Sequence, residues 1–488
     1  VTLSNDRRDA VPRVAVPRVA IVGGGFAGAA FAIHLIRANG RRPLAIDLYE
    51  PRALLGAGLA YGTDDDAHRI NVAAARMALF SEDPTHFDRW FRETGEAEAD
   101  PEALLADGRA YPRRAAFGRY VDHVLRTAAR AHRNIAFRHV AARVIDVAPA
   151  GSGYTLTTDA GEALPADIVV LSPGHPAPAL PRWVGAEAAG HPRFIADPWK
   201  SGALKAVRPE DAVLIVGTGL TMADVVASLQ KQGHRGAITA VSRRGLTPRP
   251  RTLLPVEAFG RFDEVPTDSA ATLLLHVRRA VEAAAAQGRP WECVIDALRQ
   301  QGTGIWQGLS PASRKRFLRH LRPWWDVHRY QIAPQIDAVL AAAQRGGRLA
   351  IVKADIRDIA RFEGSFHARL HLRGRARYPD VERFFDAVVN CTGPDHGSVV
   401  AGNPVLRALA GRALLKSDPL GLGIAVDLSA QVLDAADRPV PGLYVAGPLA
   451  RGTFGELMGL PQVSLQPERL ANHIAALLPE ATALDRAV

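Results

Sequence analysis

Cysteine is almost absent from this chain of 488 residues, which carries only Cys293 and Cys391. Two thiols so far apart support neither a disulfide framework nor a cysteine-pair metal site, and there is no C-x-x-C pair to relay electrons. Cys391 lies in VVNCTGP, where a buried structural thiol is expected. Long apolar runs are missing too: none approaches the roughly 20 residues that span a bilayer. The opening VTLSNDRRDAVPRVAVPRVA lacks the apolar centre of a signal peptide, so a cytoplasmic location without membrane attachment is expected. AVPRV occurs twice there, yet residues 1–13 read as a loose tail and not as a repeat architecture. No G-x-S-x-G elbow and no H-E-x-x-H occurs, so neither a serine triad nor a zinc centre is indicated, and no metal is expected. Lysine is scarce as well, and arginine carries most of the 60 basic charges set against 50 acidic ones. The resulting +10 would draw anionic cofactors and substrates. Without a concentrated basic tail or a recognisable module, nucleic acid is not an expected partner.

Glycine, by contrast, is placed with purpose. In VAIVGGGFAGAAFAIHLI an apolar strand runs into Gly23, Gly25 and Gly28, spaced G-x-G-x-x-G, and then into a helix. Gly23 permits the tight turn, Gly25 lets backbone amides reach a pyrophosphate, and Gly28 lets helix and strand pack closely. The acid that takes the ribose hydroxyls is expected about 20 residues on, where Glu50 closes LAIDLYE. A glycine turn without a ligand is the competing reading.

A second such unit, AVLIVGTGLTMADVVASL, places Gly217 and Gly219 behind a strand and Thr221 at the helix start. Met222 stands where the third glycine belongs, so its helix is expected to ride higher over the sheet. The following strand, ITAVSRR, ends in Ser242, Arg243 and Arg244 instead of an acid. Guanidinium groups there suit a 2′-phosphate, which favours NADPH over NADH; a solvated basic turn is the plainer alternative.

Two such units imply an α/β protein with two Rossmann-type dinucleotide-binding domains. The FAD-type domain is expected to be discontinuous, covering 14–207 and returning over 385–480 with GLYVAGP as its last strand and a final helix near 465–478. The NAD(P)H domain is expected over 208–384, with a helical insert at about 265–345.

From about residue 19 to 475 the chain resembles the bacterial FAD/NAD(P)-binding proteins that include FAD-dependent urate hydroxylase and nitrosuccinate-forming aspartate N-monooxygenase. More loosely, it looks like ornithine and lysine N-hydroxylases and Baeyer-Villiger monooxygenases. The carrying residues are GGGFAG, GAGLAYG with INV at 70–72, YPRRAAFGRYV, SPGHP, GTGLTMAD, SRRG, FLRHLRPWWDVHR and NCTGP. The resemblance implies that NAD(P)H reduces FAD, that O₂ forms a flavin C4a-hydroperoxide, and that its outer oxygen passes to a small anionic nitrogenous substrate. The protein would orient the rings and keep water out. Urate, converted to 5-hydroxyisourate, is the favoured substrate, and N-hydroxylation of an amino acid such as L-aspartate is the alternative. A reductase serving a ferredoxin or quinone, or a redox sensor that merely binds FAD, belongs to another class.

The resemblance also implies roles for residues. The loop from Gly56 through Tyr61 to Asn71 would run under the flavin, with the Asn71 amide at the ring edge; its glycines would otherwise serve turn geometry alone. Gly174 in SPGHP, Gly393 in NCTGP and Gly447 in AGP would border the cofactor. Related flavoproteins often carry Gly-Asp where this chain has Gly447-Pro448, so that ribityl contact is not expected. Glu456, Leu460 and Gln462 would approach the pyrimidine end. For the substrate, arginines are expected: Arg76, Arg249, Arg251 and Arg329, with Trp325 beside them and His328 withdrawing a proton. A packed surface helix with core tryptophans and solvated cations is the other reading of residues 317–330.

Overall fold

The computed structural model describes residues 16–252, 257–264, 268–374 and 380–479. The tail expected over 1–13 lies outside them. Arg18–Val22 and Leu44–Tyr49 pair in parallel, and the helix Phe26–Ala38 crosses between them. All six residues of Leu44–Tyr49 are buried, as an interior parallel strand requires when both faces are covered. Ile168–Leu171 lies on the other side of Arg18–Val22, and Pro439–Val445 joins it in parallel. Gln431–Leu433 closes that edge antiparallel, and Ile135–Val140 forms the opposite edge. The closing helix Gln462–Leu477 buries Leu470, Ala471, Ile474 and Ala475 in the same apolar core as Phe26–Ala38. A small antiparallel meander, Val144–Ala150, Gly153–Thr158 and Ala163–Ala166, is appended.

The second sheet runs in the order Val381–Phe385, Ser365–Leu372, Leu349–Phe362, Ile238–Ser242, Val213–Val216, Ala387–Asn390 and Phe194–Ile195. This corrects the expected boundaries. Ala387–Asn390, placed by sequence in the returning FAD part, is a wholly buried strand beside Val213–Val216, and Phe194–Ile195 adds to its far side. A short apolar run shows that a strand is interior, but not which sheet receives it. The helical insert is also shorter than expected. Pro334–Arg345 connects two parallel neighbours, Ile238–Ser242 and Leu349–Phe362, and therefore serves as their crossover helix. Its Ile336, Leu340 and Ala343 face the core that holds Met222 and Val226.

The remaining insert has an apolar centre of its own, built on Phe262, Leu273, Val294, Leu298, Trp306 and Leu309. It docks on the returning FAD part through Leu422 in that cluster and through Trp306 Nε1, which donates to the Gly452 carbonyl at 2.8 Å. The chain passes between sheets beyond Ser172 and beyond Cys391, and Pro178 and Pro394 bridge the two passages antiparallel. Among the described residues no helix is long and apolar enough to cross a membrane.

Candidate functional site

The first glycine turn is crowded by backbone on several sides. Gly23 adopts φ +103°, and a Cβ there would lie 2.2 Å from the Ser172 carbonyl oxygen. A Cβ on Gly28 would lie 2.0 Å from the carbonyl oxygen of Gly23, so the helix presses directly on its own turn. Gly447, at φ +92°, passes so near the helix that a Cβ would stand 2.5 Å from that of Ala27. The loop Gly56–Gly62 lies over the turn: the Gly56 N–H donates to the Gly24 carbonyl at 2.7 Å, and the Cα of Gly58 faces Gly25. No side chain caps the helix N-terminus, which leaves its amides available to a pyrophosphate. Glu50 is buried at the end of its strand; Oε2 accepts the Gly24 N–H at 3.2 Å and Oε1 accepts Arg52 Nε at 2.8 Å. This arrangement fits the adenosine and pyrophosphate half of FAD.

Other expected contacts are arranged differently. The Tyr61 ring packs at 4.7 Å from Phe117 and 6.1 Å from Phe26, and burial pushes its phenol up to about 12. It is thereby a neutral member of an aromatic cluster. The Gly447 N–H is taken by Gln466 Oε1 at 2.8 Å, while Gln466 Nε2 donates to the Val445 carbonyl. Sequence reading had passed over Gln466, since nothing local marks a glutamine in a helix as a clamp.

At the second turn Gly217 has φ +108°, and a Cβ would meet the Cys391 carbonyl oxygen at 2.4 Å, whereas a Cβ on Gly219 would meet nothing within 4 Å. Met222 is fully buried and Thr221 half-buried at the helix start. Ser242 was expected to face a coenzyme, but its hydroxyl holds the turn together, donating to Thr218 Oγ1 at 2.8 Å, whose own proton goes to the Leu246 carbonyl, and accepting the Gly245 N–H at 3.0 Å. Arg243 is exposed and Arg244 half-buried, and neither forms an ion pair among the described residues. Two free cations at this strand end fit a 2′-phosphate. Gly174, at φ +78°, and Gly393, at φ +82°, mark the two passages between sheets.

Arg76, Arg251, His328 and Arg329 are brought together as lining of one cavity of about 320 Å³. Arg249 is exposed with its backbone bonded to Val327 and Ile332, and Trp325 packs into the insert's core; neither lines this cavity. Arg109, Arg299, Glu292 and Asp296 complete its charged wall, so five arginines stand against two carboxylates. Sequence reading missed these four. Glu292, Asp296 and Arg299 share one helix face at i, i+4 and i+7 within Glu292–Gln300, and that polar stripe was the available signal.

The charges are not equally free. Asp296 accepts Arg76 Nη2 at 2.7 Å and Arg299 Nη1 at 3.3 Å. Arg329 is ion-paired with Glu456 in a buried contact, its Nε donating at 2.6 Å. Glu456 is therefore committed to an arginine, and not to the flavin edge expected of it. Gln462 likewise brackets Arg299, accepting Nη2 at 3.4 Å and donating to its carbonyl at 3.3 Å. Arg251 Nε donates to the Asn71 carbonyl at 2.8 Å, joining the cavity to the loop expected beneath the flavin, while the Asn71 side-chain amide has no protein partner among the described residues. Burial pulls Arg251 down to about 10 and Arg299 to about 9, so both sites favour an anion that restores the charge balance. The Glu292 carboxyl is pushed up by burial and by Asp296, and its Oε2 is buried without a partner. His328 Nδ1 lies 2.7 Å from the Trp324 carbonyl, which can only accept, so Nδ1 carries a proton.

Residues 20–176 match the FAD-NAD(P)-binding family model. No curated protein matches the chain. Solved structures share its architecture over nearly the whole length. Ornithine hydroxylase from Pseudomonas aeruginosa is 15% identical, covering 95% of this chain and 100% of its own at a TM-score of 0.62. Ornithine N-hydroxylase from Kutzneria sp. 744 is 16% identical, covering 95% and 99% at 0.60. L-lysine 6-monooxygenase from Pseudomonas syringae is 20% identical, covering 97% and 100% at 0.59. The chain thus has an α/β fold with parallel sheets and two dinucleotide-binding domains, and its first unit is an FAD-NAD(P)-binding segment.

Proposed function

We propose that the chain is an FAD- and NADPH-dependent N-monooxygenase of a small anionic amino acid, with L-aspartate as the first substrate to try. The observation that carries this reading is the cavity of five arginines and two carboxylates, tied through Arg251 to the Asn71 carbonyl. FAD would be held by the turn Gly23–Gly28, by Glu50 at the ribose, and by the Gly58 and Gly447 backbones. NADPH would be held by Gly217, Gly219, Thr221 and the arginine pair Arg243 and Arg244. When bound, reduced FAD supplies activated oxygen to a nucleophilic nitrogen.

The protein's part is binding, orientation and exclusion of water. Arg251 and Arg76 offer guanidinium groups to substrate carboxylates, and bidentate pairing fixes orientation as well as affinity. Arg329, held by Glu456, and Arg299, held by Gln462 and the Leu460 carbonyl, form a wall that needs no reorganisation when substrate arrives. Urate, the substrate first favoured, has no support from the structural neighbours named above, whose names specify ornithine and lysine. NADPH and O₂ consumption by the FAD-loaded protein, with L-aspartate, L-ornithine, L-lysine and urate in turn and products weighed by mass, tests the reading. L-aspartate-stimulated consumption matched by an oxygenated amino acid is expected. An oxygenated urate, or hydrogen peroxide as the sole product with every compound, would overturn it.

A further inference from the structure

We propose that Glu292 is the proton acceptor for the substrate's ammonium group, an assignment that rests on the N-monooxygenase reading. An ammonium nitrogen has no lone pair and cannot attack an electrophilic oxygen, so the site must first remove a proton. Five of the charged groups lining the cavity are arginines, which donate only and offer nothing to an ammonium. Of the carboxyls nearby, Asp296 is engaged by Arg76 and Arg299, and Glu456 by Arg329. Among the described residues Glu292 forms no ion pair, and its Oε2 is enclosed without a partner. Glu292 itself lines the cavity, so its carboxylate is the acceptor there that no arginine occupies among the described residues.

The surroundings suit a base. Burial raises its affinity for a proton and Asp296 on the same helix adds to this, while a hydrogen bond from its own backbone N–H, Arg251 from the loop and His328 from Arg322–Arg329 oppose it. Arg76, Arg109, Arg299 and Arg329 complete the charged wall. The net result is a carboxyl above the ordinary carboxylate range, nearer to neutrality, where proton transfer from an amine is less uphill. In the step, an N–H bond breaks and an O–H bond forms on the Glu292 carboxylate; the electron pair stays on nitrogen, which becomes the nucleophile. The proton then passes from Glu292 to solvent. Nothing is oxidised or reduced.

The test compares L-aspartate with N-hydroxy-L-aspartate, whose nitrogen is already neutral near pH 7, on FAD-loaded wild type, Glu292→Gln, Glu292→Asp and His328→Gln. Glu292→Gln is expected to lower kcat/KM for L-aspartate by about 10²- to 10⁴-fold, to erase the acid limb of its pH profile, and to affect the N-hydroxy compound far less. Glu292→Asp should keep the limb at a reduced rate, which serves if the glutamine variant fails to load FAD. Equal losses with both compounds would mark a structural role and overturn the assignment. So would disappearance of the limb in His328→Gln while Glu292→Gln retains it. A wild type that hydroxylates no amino acid would remove the N-monooxygenase reading and this assignment together, whereas a wild type that does so alongside an unimpaired Glu292→Gln would remove the assignment alone.

Discussion

The two glycine turns share one topology and differ at two places. In the first, Gly28 touches the carbonyl oxygen of Gly23, Ser172 closes on Gly23, Gly447 passes Ala27, and Glu50 waits at the end of the next strand. In the second, Met222 replaces the third glycine, a Cβ on Gly219 would enter open space, and Arg243 and Arg244 stand where the acid was. Where Gly28 has no side chain, Met222 buries a full one. A passing carbonyl closes on the first glycine of both turns, Ser172 on Gly23 and Cys391 on Gly217, so the two seats differ at the third glycine and at the strand end, one edged by a carboxylate and the other by cations. The residue at the third glycine position and the charge sign at the strand end, and not topology, separate the two units.

The sharpest way to break this comparison is Gly28→Val. With a Cβ meeting backbone at 2.0 Å, the helix must move off its turn, and soluble FAD-loaded protein is expected to be lost, as read by yield and flavin absorbance. A folded variant with full flavin content would disprove the claimed closeness. Met222→Ala at the matching position removes buried volume without a backbone clash and should cost about 2–5 kcal/mol in denaturant unfolding; flavin content should be retained. A cost near zero would mean that the second helix settles onto its turn as the first does.

Arg243→Ala should raise KM for NADPH by about tenfold to a hundredfold, in line with loss of roughly 1.5–3 kcal/mol from a charge-assisted bond, and leave NADH nearly unaffected. Equal effects on both coenzymes would remove the phosphate contact. The smallest effect concerns the joints between the units. His175 follows Gly174, and His396 follows Gly393 by three residues; their rings lie 5.4 Å apart. Burial and Arg451 pull His175 down to about 4 and His396 to about 3. Above the ordinary value of 6.5 both rings are neutral in either state. As pH falls from there toward 4, the unfolded chain takes up protons that the folded protein refuses, so stability declines. His396→Asn should flatten that decline in melts between pH 7 and about 4, and an unchanged slope would mean the ring titrates normally.

Much of the fold was legible because its signals are local. Strand runs such as VAIV and VLIV, followed by glycines that take positive φ, state their conformation within a few residues. The place of Glu50 at the end of its strand, beside Gly24, was readable from spacing alone. The cavity was legible only in part. Arg76, Arg251, His328 and Arg329 were found through their residue type and placed in one wall, whereas Arg249 and Trp325 had the same signal and point to other surroundings. Glu292, Asp296 and Arg299 were passed over because a polar stripe on a helix ordinarily faces water, and nothing in the sequence tells that this one faces Arg76 from 220 residues away.

By itself the sequence determined two strand–glycine–helix units, one closed by an acid and one by arginines, and a chain without a thiol pair. These are properties of residue type and short spacing, which act through backbone sterics and hydrophobic periodicity. Only the tertiary structure decided that Ala387–Asn390 belongs to the second sheet, that Pro334–Arg345 is a crossover helix, and that Glu456 and Asp296 neutralise particular arginines while Glu292 pairs with none among the described residues. Pairing of strands and of buried charges depends on distances between segments far apart in the chain, and those distances exist only once the core has closed around them.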